Sequence, residues 1–150
     1  MSKRFPTPKK WTPTNPQKYE GNSNNIITRS SWETRMLNWL DTNPNIISYS
    51  SEEFFIPYIS LLEGKPRRYF PDMKAKIKTG NGIKTFIIEI KPANQRVPPT
   101  TKNQRRYLQE METYILNKSK WEAADKWCKE RGYEFMILDE YDLGIAKRKG

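Results

Sequence analysis

Apolar positions change their spacing several times along the chain, and each change predicts an element. Trp32, Met36, Leu37, Trp39 and Leu40 recur at helical spacing. Ser30 or Ser31 precedes them as an N-cap, Glu33 falls in the first turn, and Asn43-Pro44 ends the run. A first helix that buries Trp32 and Trp39 follows from this pattern. Residues 46–58 then read as extended, in two apolar stretches at 46–49 and 54–58. Glu63-Gly64-Lys65-Pro66 supplies turn chemistry ahead of a strand at 68–77. A second turn, Thr79-Gly80-Asn81-Gly82, joins that strand to another at 84–90, which predicts a three-stranded meander. Pro92, Pro98 and Pro99 mark a loop, after which 103–117 and 119–131 read as two helices. Trp121, Ala124, Trp127 and Cys128 form the apolar stripe of the second, and Gly132 closes it before a last strand at 133–138. The expected order is helix, three strands, helices, strand, in an α/β arrangement with a mixed sheet.

Composition sets the scale of this fold. The 150 residues include five Trp, eight Tyr and six Phe, an aromatic share of 13% that supports one compact domain although only 35% of residues are hydrophobic. Residues 1–25 carry Pro6, Pro8, Pro13 and Pro16 among Lys3, Arg4, Lys9, Lys10 and Lys18, and are expected to form a basic arm that docks Trp11 and Tyr19. The folded domain is expected over 26–142. A basic tail at 143–150, with Lys147, Arg148 and Lys149, is expected to stay outside it.

Charge narrows the partners. The formal net charge is +10, which favours a polyanion such as nucleic acid. Its distribution is uneven. Residues 65–78 hold six basic side chains against one acid, Asp72, and residues 91–106 hold five with no acid, whereas 109–142 hold nine acids and five bases. Cys128 is the single cysteine and there is no histidine, which excludes an intrachain disulfide, a Cys/His zinc site and Ser-His-Asp chemistry. No apolar run is long enough to span a bilayer and the start has no signal-peptide core, so a reducing cytosol and no membrane partner are expected.

Candidate chemistry lies on the strand at 84–90. Alternation puts Phe86, Ile88 and Ile90 on one face and Thr85, Ile87, Glu89 and Lys91 on the other. The strand is otherwise apolar enough to be central, where unpaired charge is expensive. Pro71-Asp72 lies in the preceding strand, and antiparallel pairing through the 79–82 turn brings Asp72 toward Glu89. Two carboxylates suit a hard divalent ion such as Mg²⁺, for which Mn²⁺ can substitute. Lys91 is placed to orient a water or to neutralise charge on a phosphorane-like transition state. Arg67 and Arg68 before this site, and Arg96, Lys102, Arg105 and Arg106 after it, are candidate contacts to a DNA backbone.

Pro71-Asp72, sixteen intervening residues and Glu89-Ile90-Lys91 resemble the PD-(D/E)xK nuclease superfamily, whose core has the element order just read. More narrowly, Arg29-Ser30-Ser31-Trp32-Glu33, Trp39-Leu40-Asp41, Ile56-Pro57-Tyr58 and Arg67-Arg68-Tyr69-Phe70 look like the head completion nucleases of T4-type bacteriophages. Lys120-Trp121, Ala123-Ala124 and Arg131-Gly132 extend the likeness, which also reaches the catalytic domain of the TnsA transposition endonuclease. The resemblance implies a restriction-endonuclease-like fold and a Mg²⁺-dependent deoxyribonuclease, with Asp72 and Glu89 on the metal and Lys91 assisting water. It places Glu33 where several relatives carry a metal-binding glutamate; an ordinary first-turn acid, favoured by the helix dipole, is the alternative. Gln104 and Tyr107 depart from the Q-x-x-x-Y spacing of some exonuclease relatives and receive no role. The implied setting is phage head completion and head-tail joining on packaged DNA. Portal or neck and head-tail connector proteins would then be partners, and the virion neck, after assembly in the host cytoplasm, the location. A TnsA-like transposition or repair endonuclease, or a non-catalytic DNA-binding neck protein, are the alternatives.

Overall fold

The computed structural model describes residues 7–147; Lys3, Arg4 and Pro6 of the expected arm, and Arg148 and Lys149 of the expected tail, lie outside the described residues. The chain runs β1 (Lys9–Trp11), a 3-10 turn (Pro16–Lys18), β2 (Ile26–Thr28), α1 (Ser31–Thr42), β3 (Ile46–Ser51), β4 (Ile56–Ile59), β5 (Pro66–Tyr69), β6 (Met73–Thr79), β7 (Gly82–Ile90), a second 3-10 turn (Ala93–Gln95), α2 (Gln104–Arg131) and β8 (Glu134–Leu138). The central sheet has the order β3-β6-β7-β8. Its first three strands are antiparallel, and β8 joins β7 in parallel after the α2 crossover, as a parallel neighbour requires. The result is the mixed α/β sheet expected of a PD-(D/E)xK core.

Three antiparallel strands are therefore present, β3, β6 and β7 falling in the three expected stretches, but the hairpin expected between the first two is not made. The expected strand at 68–77 is broken at Phe70-Pro71-Asp72, where Pro71 brings no amide hydrogen to a ladder. The first piece becomes β5, which pairs with β4 as a separate ribbon, Ile56 opposite Tyr69 and Tyr58 opposite Arg67. β3 pairs with β6. The two expected helices after the loop are also one: α2 is continuous for 28 residues, about 42 Å at the usual rise. Ser119, just after the expected break, donates its hydroxyl to the Ile115 carbonyl and accepts from the Leu61 amide, so the helix passes through it while holding the ribbon. Asn103 caps the start of α2 through the Arg106 amide, and Gly132 takes the left-handed conformation that ends it.

Two apolar clusters flank the sheet. On one side α1 lays Met36, Leu37 and Leu40 over Tyr49, Met73, Ala75, Ile88 and Ile90. On the other, Trp121 and Ala124 of α2 pack with Ile56, Tyr58 and Tyr69 of the ribbon, and with Phe135 and Ile137 of β8. β7 is thus covered on both faces at its C-terminal end. Among the described residues no helix is long and apolar enough to cross a membrane.

The N-terminal arm docks as expected, and a buried acid holds it. Asp41, 2% exposed near the end of α1, accepts from the amides of Thr14 and Asn15 and from the Tyr49 hydroxyl. Lys18 caps the last carbonyls of α1 at Asp41 and Asn43, and Trp11 donates its indole N–H to Asn38. Trp11 and Tyr19 both join the first core cluster. The beginning of the expected tail is anchored too, Leu143 packing on that cluster and its carbonyl accepting from Arg35.

Trp39 corrects the sequence reading. The buried stripe of α1 runs through Met36, Leu37, Leu40 and Asp41, which leaves Trp39 48% exposed, while Trp32 packs partly buried against the cluster. Trp11→Ala is expected to cost about 3 kcal/mol, and Trp39→Ala less than about 1 kcal/mol. Chemical denaturation of both variants measures the contrast as a large and a small fall in midpoint. Equal falls would contradict the docking of the arm.

Candidate active site

β6 and β7 set the site by their register. Met73 lies opposite Ile88 in an antiparallel ladder, so the next residue back, Asp72, lies opposite Glu89 on the face toward α2 and the ribbon. The Asp72 carboxylate accepts from the Ile90 amide at 2.7 Å through Oδ2. Its carbonyl accepts from the amide of Glu52, a residue with φ 53°, a left-handed conformation that a non-glycine side chain adopts only under local constraint. Glu89 is 7% exposed; its Oε2 accepts from the hydroxyl of Tyr69 at the end of β5, and its Oε1 lies 3.7 Å from Lys91 Nζ. The break that detached β5 from β6 therefore has a chemical consequence, since it carries Tyr69 to Glu89.

The electrostatics follow from this packing. Burial raises the Asp72 carboxyl far above the usual range, and the facing charge of Glu89 adds to the rise. Burial likewise raises Glu89, opposed by the hydrogen bond from Tyr69 and by the charges of Lys91 and Lys120. Tyr69 is held strongly protonated by its own burial and by Glu89, so it remains a donor. Two opposed carboxylates with too little compensating charge hold either a proton or a cation. The donor set, carboxylate oxygens from adjacent strands with open lone pairs, fits an oxygen-preferring divalent ion bound through two carboxylates and waters. Among the described residues no three His, Cys, Asp or Glu side chains converge on one point.

Glu33 lies near this pair without joining it in a tight cluster. It sits in the first turn of α1, where its amide donates to the Ser30 cap and its Oε2 accepts from the Arg29 amide at 2.7 Å. Burial raises its carboxyl and Lys91 lowers it, while its own charge raises both Asp72 and Glu89. The first turn of α1 therefore serves as helix cap and as an edge of the acidic site together.

The basic candidates do not assemble around the pair as one group. Arg67 pairs with Glu63, Arg68 lies over the Phe55 ring at 4.9 Å, and Arg96 is held on Asp139 at 2.7 Å. Arg106 pairs with Glu110 along α2 with its side chain 67% exposed, and Lys102 and Arg105 are exposed beside it. Sequence reasoning assigned no role to Tyr69, Lys120 or Arg29, the last pairing with Glu52 next to Asp72 and Glu33. A lysine in the apolar stripe of a long helix was the signal for Lys120, and the expected break at 118 hid it.

Residues 43–140 match the family described as TnsA-like endonuclease N terminal, a span that includes Asp72, Glu89 and Lys91. The chain is also similar to the head completion nuclease of Enterobacteria phage T4, 42% identical over 147 residues, covering 94% of this chain and 96% of that protein.

Proposed function

The chain belongs to the TnsA-like endonuclease N-terminal family, and from that premise we propose that it is a divalent-metal-dependent deoxyribonuclease that acts on packaged phage DNA during head completion. The observation that carries the chemistry is the β6-β7 register, which sets two buried carboxylates opposite each other with a lysine beside them. The setting is carried by the likeness to the T4 head completion nuclease over nearly the full length of both chains. In this reading the protein trims or cuts DNA ends so that filled heads can be joined to tails, with portal or neck proteins as partners in the virion.

Asp72 and Glu89 would hold the ion, Mg²⁺ or Mn²⁺, with Glu33 as an auxiliary acid beside them. A bound divalent ion would supply Lewis acidity toward the scissile phosphate and increase the acidity of an attacking water. Tyr69 fixes Glu89 by donating to Oε2, which leaves Oε1 as its open oxygen. The Ile90 amide does the same for Asp72 Oδ2. Lys91, partly exposed at 24% and extending from the end of β7, orients the water and balances negative charge as the phosphorus becomes five-coordinate. Lys102, Arg105 and Arg106 at the exposed start of α2 position the DNA backbone without reading bases, which implies strong salt dependence and weak sequence preference.

Degradation of plasmid DNA by the full chain tests this directly. Cleavage is expected in Mg²⁺ and none in excess chelator, and Lys91→Ala is expected to lose on the order of 10²-fold or more in rate while still binding DNA. A non-catalytic neck protein would bind DNA and leave it intact under every condition.

A further inference from the structure

We propose that Lys120 is a substrate-contacting cation of the same centre, gripping the scissile phosphodiester from the α2 side while Lys91 reaches it from the sheet. The inference rests on the hydrolase reading above and adds a residue to it. Leu116, Ala123, Ala124 and Trp127 all pack on the second core cluster, and Lys120 falls among them at i+4 from Leu116 and i−4 from Ala124. Trp121 and Ala124, beside this row on α2, share that cluster with Tyr69, whose hydroxyl donates to Glu89. Lys120 is partly buried, yet among the described residues its ammonium makes no ion pair or hydrogen bond. Its charge nevertheless interacts with those of both Glu89 and Lys91.

This differs from the other cations around the site. Arg29 is committed to Glu52, Arg67 to Glu63 and Arg96 to Asp139, and Lys91 already lies against Glu89. A partly buried ammonium beside apolar side chains and without a direct partner is costly, and an arriving anion offsets that cost. The anion this centre receives is a phosphodiester. With Asp72 and Glu89 occupied by a divalent ion, Lys91 and Lys120 are left as the two cations facing it.

The test compares wild type, Lys120→Met, Lys120→Gln and Lys120→Arg as full chains. Single-turnover cleavage of duplex DNA is measured in Mg²⁺, and DNA affinity is measured in chelator as a function of salt. Lys120→Met and Lys120→Gln are expected to lose at least about tenfold in rate. Their log-log salt slope is expected to flatten by about 0.9, as loss of one phosphate contact requires. Lys120→Arg is expected to recover most of the rate and the whole slope. Wild-type rate and slope in the Met and Gln variants, with Lys91→Ala inactive, would overturn the Lys120 assignment and leave the hydrolase reading standing. So would a lost rate with an unchanged slope, or a loss that Lys120→Arg fails to rescue, since both describe a packing role. Absence of cleavage by the wild type would instead remove the hydrolase reading, and the assignment with it.

Discussion

Asp72→Asn is expected to lower DNA cleavage by at least about 10²- to 10³-fold and, in the same protein, to raise stability measured without metal. The two effects have one origin. Asp72 and Glu89 face each other across a covered pair of strands, each raised by burial, and their charges oppose folding when no cation lies between them. Asparagine keeps the hydrogen bond from the Ile90 amide, because its carbonyl oxygen can replace Oδ2, and removes the charge. A gain of about 1–3 kcal/mol is expected, together with loss of one ligand charge for the ion. Thermal unfolding in chelator and a plasmid assay in Mg²⁺ read the two halves. A variant that is both inactive and less stable would show that Asp72 supports the fold rather than the site.

Stability of the metal-free protein is expected to fall as pH rises from about 4 through neutrality, and divalent ions are expected to reverse the fall. Asp72, pushed up to about 8, and Glu89 and Glu33, raised in the same direction, all bind protons more tightly folded than unfolded. For such groups the stabilising protonated form is fully present below the unfolded value near 4 and is lost as pH climbs toward the folded one. Glu20 and Asp139 are shifted down. The Ser48 hydroxyl lowers the first, and for the second burial is outweighed by hydrogen bonds from the Asp142 amide and from Arg96. Their contributions are lost only on the acid side of the ordinary carboxylate range. A divalent ion at about 100 times its dissociation constant would return about 2.7 kcal/mol at pH 8 and almost nothing at pH 4, where protons hold the site. Thermal melts with and without Mg²⁺ between these limits check the sign. Mg²⁺ stabilisation that is equal at both ends would place its binding elsewhere.

The face that carries Asp72 and Glu89 was legible in the sequence because strand alternation is strict. Once Asn81-Gly82 announced a hairpin, the phase of Glu89 and Lys91 and the approach of Asp72 came from period two alone, and Met73 opposite Ile88 realises that register. Lone contacts at long range were not legible. Nothing around Asp41 signals that its carboxylate receives amides from Thr14 and Asn15, 26–27 residues away, so the docking of Trp11 and Tyr19 was expected but the acid that holds the arm was not. The apolar and basic run Arg68-Tyr69-Phe70 reads as one strand with residues 73–77. Only the pairing of β5 with β4 reveals that Tyr69 turns toward Glu89. Trp39 fell to the opposite error, since helical spacing marks a stripe several residues wide and packing decides which edge faces water.

The direct measurement is anomalous scattering from a crystal of the wild-type chain soaked in Mn²⁺. A peak is expected between the carboxylates of Asp72 and Glu89, about 2.0–2.3 Å from an oxygen of each, with Lys91 adjacent but not ligating. A peak confined to other acids, or Asp72 and Glu89 with no ion between them at saturating Mn²⁺, would contradict a shared metal centre on β6 and β7.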